Sequence, residues 1–355
     1  MKKVLILVEN FRVGGGQYVV HELAKNLDTS HIQFKIVCYT ARKGTELEKK
    51  MESIADVEYL NIDGHVGLLK YRKVMKAINA YNPDIIHAHL SAQIFSIVWS
   101  WIYKKPSLIT AHTVPQKAFL KKTEWLLKKE IKRGKQYVVA VSDKNAEMMK
   151  EYFGVGDDRC FCVNNGIDID SFYRVPHEHF TFINVATHNE NKNQSAIIRC
   201  FAKLVEENPD IRLILAGDGV LHNELIELSK ELNVYDKIEF PGSVSEVQKY
   251  NARADVYVQS SHREAMPLAV LEAMAASLPI VATNVGGLPD IVKDNGFLVN
   301  DDEEELCAAM REMLLVSEDK LKEFGINSRR MVEKYSSKEM AKKYMEIYEF
   351  ICQTK

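Results

Sequence analysis

Residues 260–292 read SSHREAMPLAVLEAMAASLPIVATNVGGLPDIV, and this stretch decides the fold. The residues just before it, 256–259, are mostly β-branched and apolar and predict a buried strand. Pro267 is favoured at the first position of a helix, so a helix is expected to begin there. Glu264 would then lie in the loop after the strand, and Glu272 in the first turns of the helix. Amides at the start of a helix lack intrahelical partners, so they offer an anion site flanked by two carboxylates.

Strands alternate with helices on both sides of this stretch. Short β-branched or apolar runs predict strands at residues 4–8, 34–39, 85–87, 107–110, 137–141, 182–186, 212–216, 238–240, 256–259, 280–282 and 297–299. Helices are expected at 17–27, 45–53, 68–79, 93–101, 194–207, 221–232, 247–252 and 268–276. The alternation predicts an α/β protein with two doubly wound, Rossmann-like domains and a ligand cleft between them.

Turn-forming residues mark the boundary between these domains. Asn, Gly and Asp are concentrated in residues 163–179, VNNGIDIDSFYRVPHEH, which suits a hinge. We therefore predict a first domain at residues 1–165 and a second at 166–335. Ser336 or Ser337 is expected to cap a last helix, within residues 336–355, that packs back on the first domain.

Composition excludes several classes of protein. The 355 residues include 47 Lys and Arg and 49 Asp and Glu, a net charge of -2 that disfavours a nucleic-acid binder. Hydrophobic residues at 46% and charged residues at 27% exclude global disorder. No apolar stretch approaches the roughly 20 residues of a membrane span, and we expect no signal peptide. The six cysteines lack CxxC or disulfide-rich spacing, which favours a reducing, cytoplasmic compartment.

The charge is divided unevenly along the chain. Residues 1–170 carry 26 Lys and Arg against 19 Asp and Glu, a net charge of +7, which leaves -9 for residues 171–355. Eight basic residues lie in 117–135, KAFLKKTEWLLKKEIKRGK, where apolar residues recur at helical spacing. This pattern predicts a basic amphipathic helix. The helix either covers the sheet with a solvated outer face or docks onto an anionic membrane leaflet.

Further motifs accompany the two glutamates in a fixed order. They are Val13-Gly-Gly-Gly16 before a helix, Asp84-Ile-Ile-His87-Ala-His89, Thr110-Ala-His112, Val141-Ser142, Asn165-Gly166-Ile167-Asp168 and Ala216-Gly217-Asp218-Gly219. With the Glu-x7-Glu spacing, this series resembles the retaining family-4 glycosyltransferases of GT-B fold over nearly the whole chain. The resemblance implies sugar transfer from a nucleotide diphosphate sugar with retention of anomeric configuration. It also implies that the first domain binds the acceptor and the second the donor.

The resemblance implies roles for individual residues. Glu264 would hydrogen-bond the donor sugar and Glu272 the ribose, since ionised carboxylates accept hydrogen bonds from hydroxyls. Lys192 matches the phosphate-binding lysine, with a solvated lysine as the alternative. Thr187 stands where the family has an arginine, which leaves His188 and Arg263 as candidates for the second cation. The implied donor site comprises Gly15, Gly16, Thr187, Lys192, Gly217, Ser243, Val244, Glu264, Ala265, Met266, Leu268, Ala269 and Glu272.

His112 completes the predicted catalytic set with Glu264 and Lys192. It follows a buried strand, and the resemblance implies contact with the donor sugar or the acceptor; a histidine of the core is the alternative. His87 and His89 lack a third metal ligand nearby, and Asp168-Ile-Asp170 suits a turn. We therefore expect neither a metal nor another cofactor.

No side chain is evident as a nucleophile, so the mechanism expected from the resemblance is front-face attack, in which the leaving phosphate takes the acceptor's proton. UDP sugars are the expected donors, with GDP-mannose open. The expected acceptor is a glycan or polyprenyl-linked oligosaccharide of cell-surface polysaccharide, reached at the inner face of the plasma membrane. The alternatives are a nucleotide-sugar-binding protein of weak activity and a nucleotide-sugar 2-epimerase of the same fold.

Overall fold

The computed structural model describes residues 1–12, 14–62, 68–119, 121 and 123–353, and for residues 68–70 it describes the backbone. These residues form two compact units. Unit 1 comprises residues 1–166 together with 337–355, and unit 2 comprises residues 167–336. The division therefore falls one residue later than the expected boundaries at 165 and 335.

Unit 1 is built on a parallel sheet. Its strands are β1 (Lys2–Val8), β2 (Ile32–Cys38), β3 (Val57–Tyr59), β4 (Ile85–His89), β5 (Ser107–Ala111), β6 (Gln136–Ala140) and β7 (Cys160–Cys162). Its helices before the hinge are α1 (Gly15–Asn26), α2 (Glu46–Glu52), α3 (Leu68–Tyr81), α4 (Gln93–Tyr103), α5 (Pro115–Ala118), α6 (Glu124–Lys132) and α7 (Asp143–Phe153). The strands are ordered β3-β2-β1-β4-β5-β6-β7. Successive strands are added on one side of β1 as far as β3 and then on its other side from β4 onward, as in doubly wound folds.

The central strands of unit 1 were the easiest to predict. β4, β5 and β6 are buried along their whole length, so their sequences read as short continuous runs of mainly apolar residues. The edge strands β3 and β7 were not predicted. Each is three residues long and partly exposed, so neither produces an apolar run.

The basic run at residues 117–135 is not one helix, so that prediction was wrong. α5 ends at Ala118 and α6 begins at Glu124. Between them, Phe119 has an extended backbone and packs its ring on that of Phe153, 5.1 Å away between centroids, which stops the helix. Leu120 and Lys122 lie outside the described residues. Within the described ranges, no helix is long and apolar enough to cross a membrane.

Unit 2 contains a second parallel sheet. Its strands are β8 (Thr181–Val185), β9 (Arg212–Ala216), β10 (Ile238–Gly242), β11 (Val256–Gln259), β12 (Ile280–Thr283) and β13 (Gly296–Val299), in the order β10-β9-β8-β11-β12-β13. Its helices are α8 (Gln194–Glu207), α9 (His222–Glu231), α10 (Val247–Asn251), α11 (Leu268–Ala275), α12 (Leu288–Ile291), α13 (Glu303–Leu315) and α14 (Glu318–Val332). All six predicted strands of the second half are present, and the fold class is confirmed as two Rossmann-like α/β units.

A disulfide joins two helices of unit 2. Cys200 on α8 and Cys307 on α13 are bonded, although the cysteine spacing had suggested no disulfide. The two residues are 107 positions apart, and α8 packs against α13 through apolar side chains. Their pairing follows from helix packing, which residue spacing does not report.

The last helix, α15 (Ser337–Gln353), belongs to unit 1 and packs against α1. Its buried face includes Tyr344 and Tyr348, four residues apart on one side of the helix. The Tyr348 hydroxyl lies 2.6 Å from Nδ1 of His87, and the Tyr344 hydroxyl lies 2.9 Å from Oγ1 of Thr110. The end of the chain therefore closes the core of unit 1 over a buried histidine of β4.

Acidification is expected to destabilise the protein through His87. Burial lowers the pKa of His87 to about 3, whereas a histidine in an unfolded chain titrates near pH 6.5. Between these values the unfolded chain holds the proton and the native chain does not. The free energy of unfolding should therefore fall as the pH drops below about 6.5, by up to ~1.4 kcal/mol per pH unit for this residue.

Thermal unfolding measured at a series of pH values from neutral downwards tests this expectation. The matched variant is His87→Gln, which keeps hydrogen-bonding groups at this position but cannot titrate. It should lose less stability on acidification than the wild type. Equal losses in the two proteins would contradict the assignment.

Candidate functional site

The predicted donor residues of unit 2 lie where its central strands end. β8 and β11 are neighbours in the sheet, and their carboxyl ends lead into loops at residues 186–193 and 260–267. Lys192 comes from the first loop and Glu264 from the second. Parallel sheets of this kind bind ligands at this edge.

Lys192 and Glu264 form an ion pair that the sequence did not reveal. The Lys192 Nζ donates to Oε1 of Glu264 at 2.5 Å, with the two side chains 22% and 9% exposed. The side-chain Nε2 of Gln259, the last residue of β11, donates to the same carboxylate oxygen at 2.8 Å. The Tyr257 hydroxyl in turn lies 2.8 Å from the Gln259 Oε1. The Glu264 carboxylate is therefore held in one orientation by a cation and an amide.

The two loops are joined to each other by hydrogen bonds to backbone carbonyls. The Ser260 hydroxyl donates to the carbonyl of Lys192 at 2.8 Å, and the backbone N–H of His262 donates to the carbonyl of Asn191 at 2.9 Å. The Asn191 side chain donates to the carbonyl of Arg263 at 3.0 Å. Because each bond joins a residue of one loop to the other loop, Lys192 and Glu264 are held next to each other.

Two glycines bring a third loop against Glu264. A Cβ on Gly286, whose φ is 59°, would lie 1.7 Å from the carbonyl oxygen of Glu264. A Cβ on Gly287 would lie 2.3 Å from the carbonyl oxygen of Ala265. At Gly286, only glycine permits both the positive φ and the close approach to the Glu264 carbonyl. The turn at these glycines therefore supports the Glu264 backbone.

The start of α11 lies directly after Glu264. Pro267 occupies the position directly before the first helical residue, with Met266 buried before it and Leu268 and Ala269 half-buried in the first turn. Burial raises the pKa of Tyr257, and the negative charges of Glu264 and Glu272 raise it further. Both glutamates of the predicted pair are therefore close enough to act on one buried phenol.

Thr187, Gly217, Ser243 and Val244, also predicted for the donor site, lie in loops at the same edge of this sheet. Thr187 is exposed, and its carbonyl accepts a hydrogen bond from Gln194 at 3.2 Å. Gly217 follows β9, and a Cβ there would lie 1.8 Å from the carbonyl oxygen of Ala186. Ser243, exposed, and Val244, half-buried, follow β10.

The two candidates for a second cation differ in their surroundings. His188 is fully buried, its Nδ1 lies 3.0 Å from Nδ1 of His222, and burial lowers its pKa to about 4. It is therefore neutral near pH 7. Arg263 is exposed, and its Nε lies 3.4 Å from the Asn191 side-chain oxygen. Of the two, only Arg263 carries a charge that a phosphate would meet.

In unit 1, His112 lies beside the glycine loop. It follows β5, and a Cβ on Gly16 would lie 3.5 Å from its ring carbon Cγ. Gly15 is the first residue of α1. The His112 Nε2 lies 3.1 Å from Nδ1 of His89, and burial lowers the His112 pKa to about 4. A neutral imidazole therefore faces the start of α1.

No cluster of three or more potential metal ligands occurs among the residues that the structure describes. The group around Lys192 and Glu264 instead combines one cation, two carboxylates and the amides at a helix start. This combination suits a ligand that carries both phosphate oxygens and hydroxyl groups. Tyr257, Gln259 and Ser260 were missed because their roles depend on side-chain contacts that apolar periodicity does not report.

Two family models match the chain. One, described as Glycosyltransferase Family 4, matches residues 13–171, and the other, Glycosyl transferases group 1, matches residues 168–331. The chain is 28% identical to the N-acetyl-alpha-D-glucosaminyl L-malate synthase of Bacillus anthracis over 54% of its own length. It is also 28% identical, over 51% of its length, to N-acetylgalactosamine-N,N'-diacetylbacillosaminyl-diphospho-undecaprenol 4-alpha-N-acetylgalactosaminyltransferase of Campylobacter jejuni. The match spans 51% of the length of each of these relatives.

Solved structures share the fold along the whole chain. The Anabaena protein Alr3699/HepE in complex with UDP superimposes with a TM-score of 0.83 at 18% identity, covering 98% of this chain and 100% of that one. A glycosyltransferase from Rickettsia africae gives a TM-score of 0.84 at 21% identity, covering 100% of both chains. The two family models follow one another along residues 13–331. The chain therefore belongs to the family-4 glycosyltransferases of GT-B fold.

Proposed function

We propose that this protein transfers a sugar from a nucleotide diphosphate sugar to a glycan or lipid-linked acceptor, with retention of anomeric configuration and without a metal. The observation that carries the proposal is the Lys192–Glu264 pair at the carboxyl ends of β8 and β11, directly before the first amides of α11. Family membership supports the reaction class. The site's charges support the substrate class.

The proposed roles follow from charge and hydrogen-bonding capacity. The Lys192 ammonium would hold the diphosphate together with the amides at the start of α11. Glu264 contacts this ammonium, so a bound diphosphate would share the ammonium with the carboxylate. The Glu264 carboxylate, oriented by Gln259, would accept hydrogen bonds from sugar hydroxyls, and Glu272 from the ribose.

The same contacts favour a positioning role for Glu264 over a covalent one. Oε1 of this carboxylate already accepts hydrogen bonds from Lys192 and Gln259, which lowers its nucleophilicity. We therefore infer a front-face mechanism. The departing phosphate oxygen takes the proton of the acceptor hydroxyl as the new glycosidic bond forms. The protein contributes positioning and charge stabilisation.

UDP is the proposed nucleotide because the Anabaena relative of this fold holds UDP and glucose. A lipid-linked acceptor is proposed because the Campylobacter jejuni relative acts on a diphospho-undecaprenol substrate. The proposed role in cell-surface polysaccharide synthesis follows from this acceptor class. His112 is proposed to contact the donor sugar or the acceptor from unit 1.

Substitution at the ion pair tests the donor site. Glu264→Gln removes the charge but keeps the shape of the side chain, so sugar transfer should fall at least about 10-fold, the equivalent of ~1.4 kcal/mol of lost transition-state stabilisation. Lys192→Gln should weaken UDP binding by a similar factor, measured by calorimetry. Glu227→Gln on α9 is the matched control, since that exposed glutamate pairs only with the neighbouring surface Lys230 among the described residues.

Each alternative function has its own outcome in this experiment. UDP binding without sugar transfer to any acceptor would favour a nucleotide-sugar-binding protein of weak activity. Conversion of the donor sugar to its 2-epimer would favour an epimerase. Full activity of Glu264→Gln would overturn the proposed role of the pair.

We further propose that unit 1 docks on an anionic membrane through the exposed face of α6. Leu126, Leu127 and Ile131 are buried in the core, so the apolar face of this helix is not free for lipid. The opposite face carries Trp125, 65% exposed, and exposed Lys129 and Lys132 at helical spacing, with exposed Lys121 before the helix. Cations with one interfacial tryptophan suit anionic headgroups.

Sedimentation with vesicles tests this surface. Neutralising Lys121, Lys129 and Lys132 to Gln should lower partitioning onto vesicles rich in anionic lipid about 100-fold, since each lysine near the surface contributes ~1 kcal/mol. The control removes three charges elsewhere in unit 1, at exposed Arg72, Lys73 and Lys76 of α3. Membrane docking through α6 is wrong if both triple variants bind as the wild type does, or if vesicles of neutral lipid bind equally well.

A further inference from the structure

A connected group of histidines lies behind His112 in unit 1. The His112 Nε2 lies 3.1 Å from Nδ1 of His89, the last residue of β4. The ring of His89 packs on that of His87, 4.1 Å away between centroids. The Nε2 of His87 lies 2.8 Å from the Thr110 hydroxyl, and its Nδ1 lies 2.6 Å from the hydroxyl of Tyr348. His112 is thus linked to side chains of β4, β5 and α15.

His89 is fully buried, and its two ring nitrogens have different surroundings. Nδ1 contacts His112, whereas Nε2 is buried with no hydrogen-bond partner among the described residues. Buried N–H groups without a partner are rarer in native proteins than buried acceptors without one. The arrangement that leaves no N–H of His89 unpaired has a lone pair on Nε2 and the proton on Nδ1.

This assignment determines the tautomer of His112. If Nδ1 of His89 is the donor in the 3.1 Å contact, Nε2 of His112 is the acceptor and carries no proton. The proton of the neutral His112 ring then lies on Nδ1. His112 is partly exposed and its Nε2 is held against His89, so Nδ1 is the ring nitrogen left for a ligand.

The surrounding backbone holds His89 in place. Leu90, immediately after His89, has a φ of 55°, a left-handed conformation that is strained for a branched side chain. A Cβ on Gly16 would lie 2.9 Å from Leu90 Cδ2 and 3.5 Å from His112 Cγ. Strain of this kind persists only where the neighbouring packing enforces it. Here it turns the chain directly after the residue that contacts His112.

We propose that His89 is a positioning residue that holds His112 as the tautomer protonated on Nδ1, so that His112 donates a hydrogen bond to an oxygen of the bound substrate. The oxygen would be a sugar hydroxyl or a phosphate oxygen. In this state His112 offers no lone pair to the substrate from Nδ1. It therefore binds and orients the substrate and does not take a proton there. The hydrogen bond from His112 to a substrate oxygen rests on the proposed function, whereas the tautomer of His112 does not.

Nitrogen-15 NMR of the full chain with labelled histidine tests the tautomer directly, because protonated and unprotonated ring nitrogens have separate chemical shifts. The His112 signals are identified by their loss in His112→Gln. The wild-type protein should show His112 protonated on Nδ1 and His89 likewise. A proton on Nε2 of His112 in the wild type would overturn the proposal.

Two substitutions of His89 separate positioning from packing. His89→Asn places an amide N–H near the position of Nδ1, whereas His89→Leu fills the space without a donor. His89→Leu should shift His112 toward protonation on Nε2 and lower kcat/KM about 10-fold, the scale of one lost hydrogen bond. His89→Asn should restore the tautomer and most of the activity. An unchanged tautomer in His89→Leu would also overturn the proposal.

A third variant controls for general disturbance of the core. Tyr348→Phe removes the hydroxyl that contacts His87 but leaves the contact between His89 and His112. It should lower stability without changing the His112 tautomer. If the expected tautomers appear but no donor supports sugar transfer, the proposed function fails and the assignment of His89 stands.

Discussion

The contact between the Lys192 ammonium and the Glu264 carboxylate is the interaction on which the site of unit 2 depends. Neither charge is fully solvated, and a partly buried charge is costly without its partner. The surrounding structure maintains this contact by three means. Gln259 adds a second donor to the carboxylate, Ser260 ties the lysine loop to the end of β11, and Gly286 packs against the backbone of Glu264. The ion pair is therefore a product of three loops, each leaving a different strand.

Unit 1 builds its site with different chemistry. His87, His89 and His112 all have pKa values lowered by burial, so the group is neutral near pH 7. A neutral imidazole can donate and accept one hydrogen bond each, which allows proton positions to be set by neighbouring groups. Unit 2 thus offers charge, which suits phosphates, whereas unit 1 offers oriented hydrogen bonds.

Much of the fold followed from local pattern. The central strands of both sheets were predicted because burial on both faces requires continuous apolar runs. β3 and β7 were missed because edge strands of three residues carry no such run. The prediction of a single basic helix was wrong because the helix is interrupted at Phe119, which packs on Phe153. Helical spacing alone does not report that contact. The disulfide between Cys200 and Cys307 was missed for a similar reason, since it depends on how α8 packs on α13.

The sequence by itself determined the order of the central strands and most helices, the start of α11 directly after Pro267, the place of Glu272 on that helix, and the presence of Glu264, Lys192 and His112 near strand ends. These are local properties, because apolar periodicity and proline geometry act within a few residues. Only the tertiary structure decided that Lys192 contacts Glu264, that Gln259 orients the carboxylate, and that His89 lies against His112. Such contacts join residues that parallel strands bring to the same edge of a sheet. The distance along the chain carries no information about them, because it is the order of strands in the sheet that makes them neighbours.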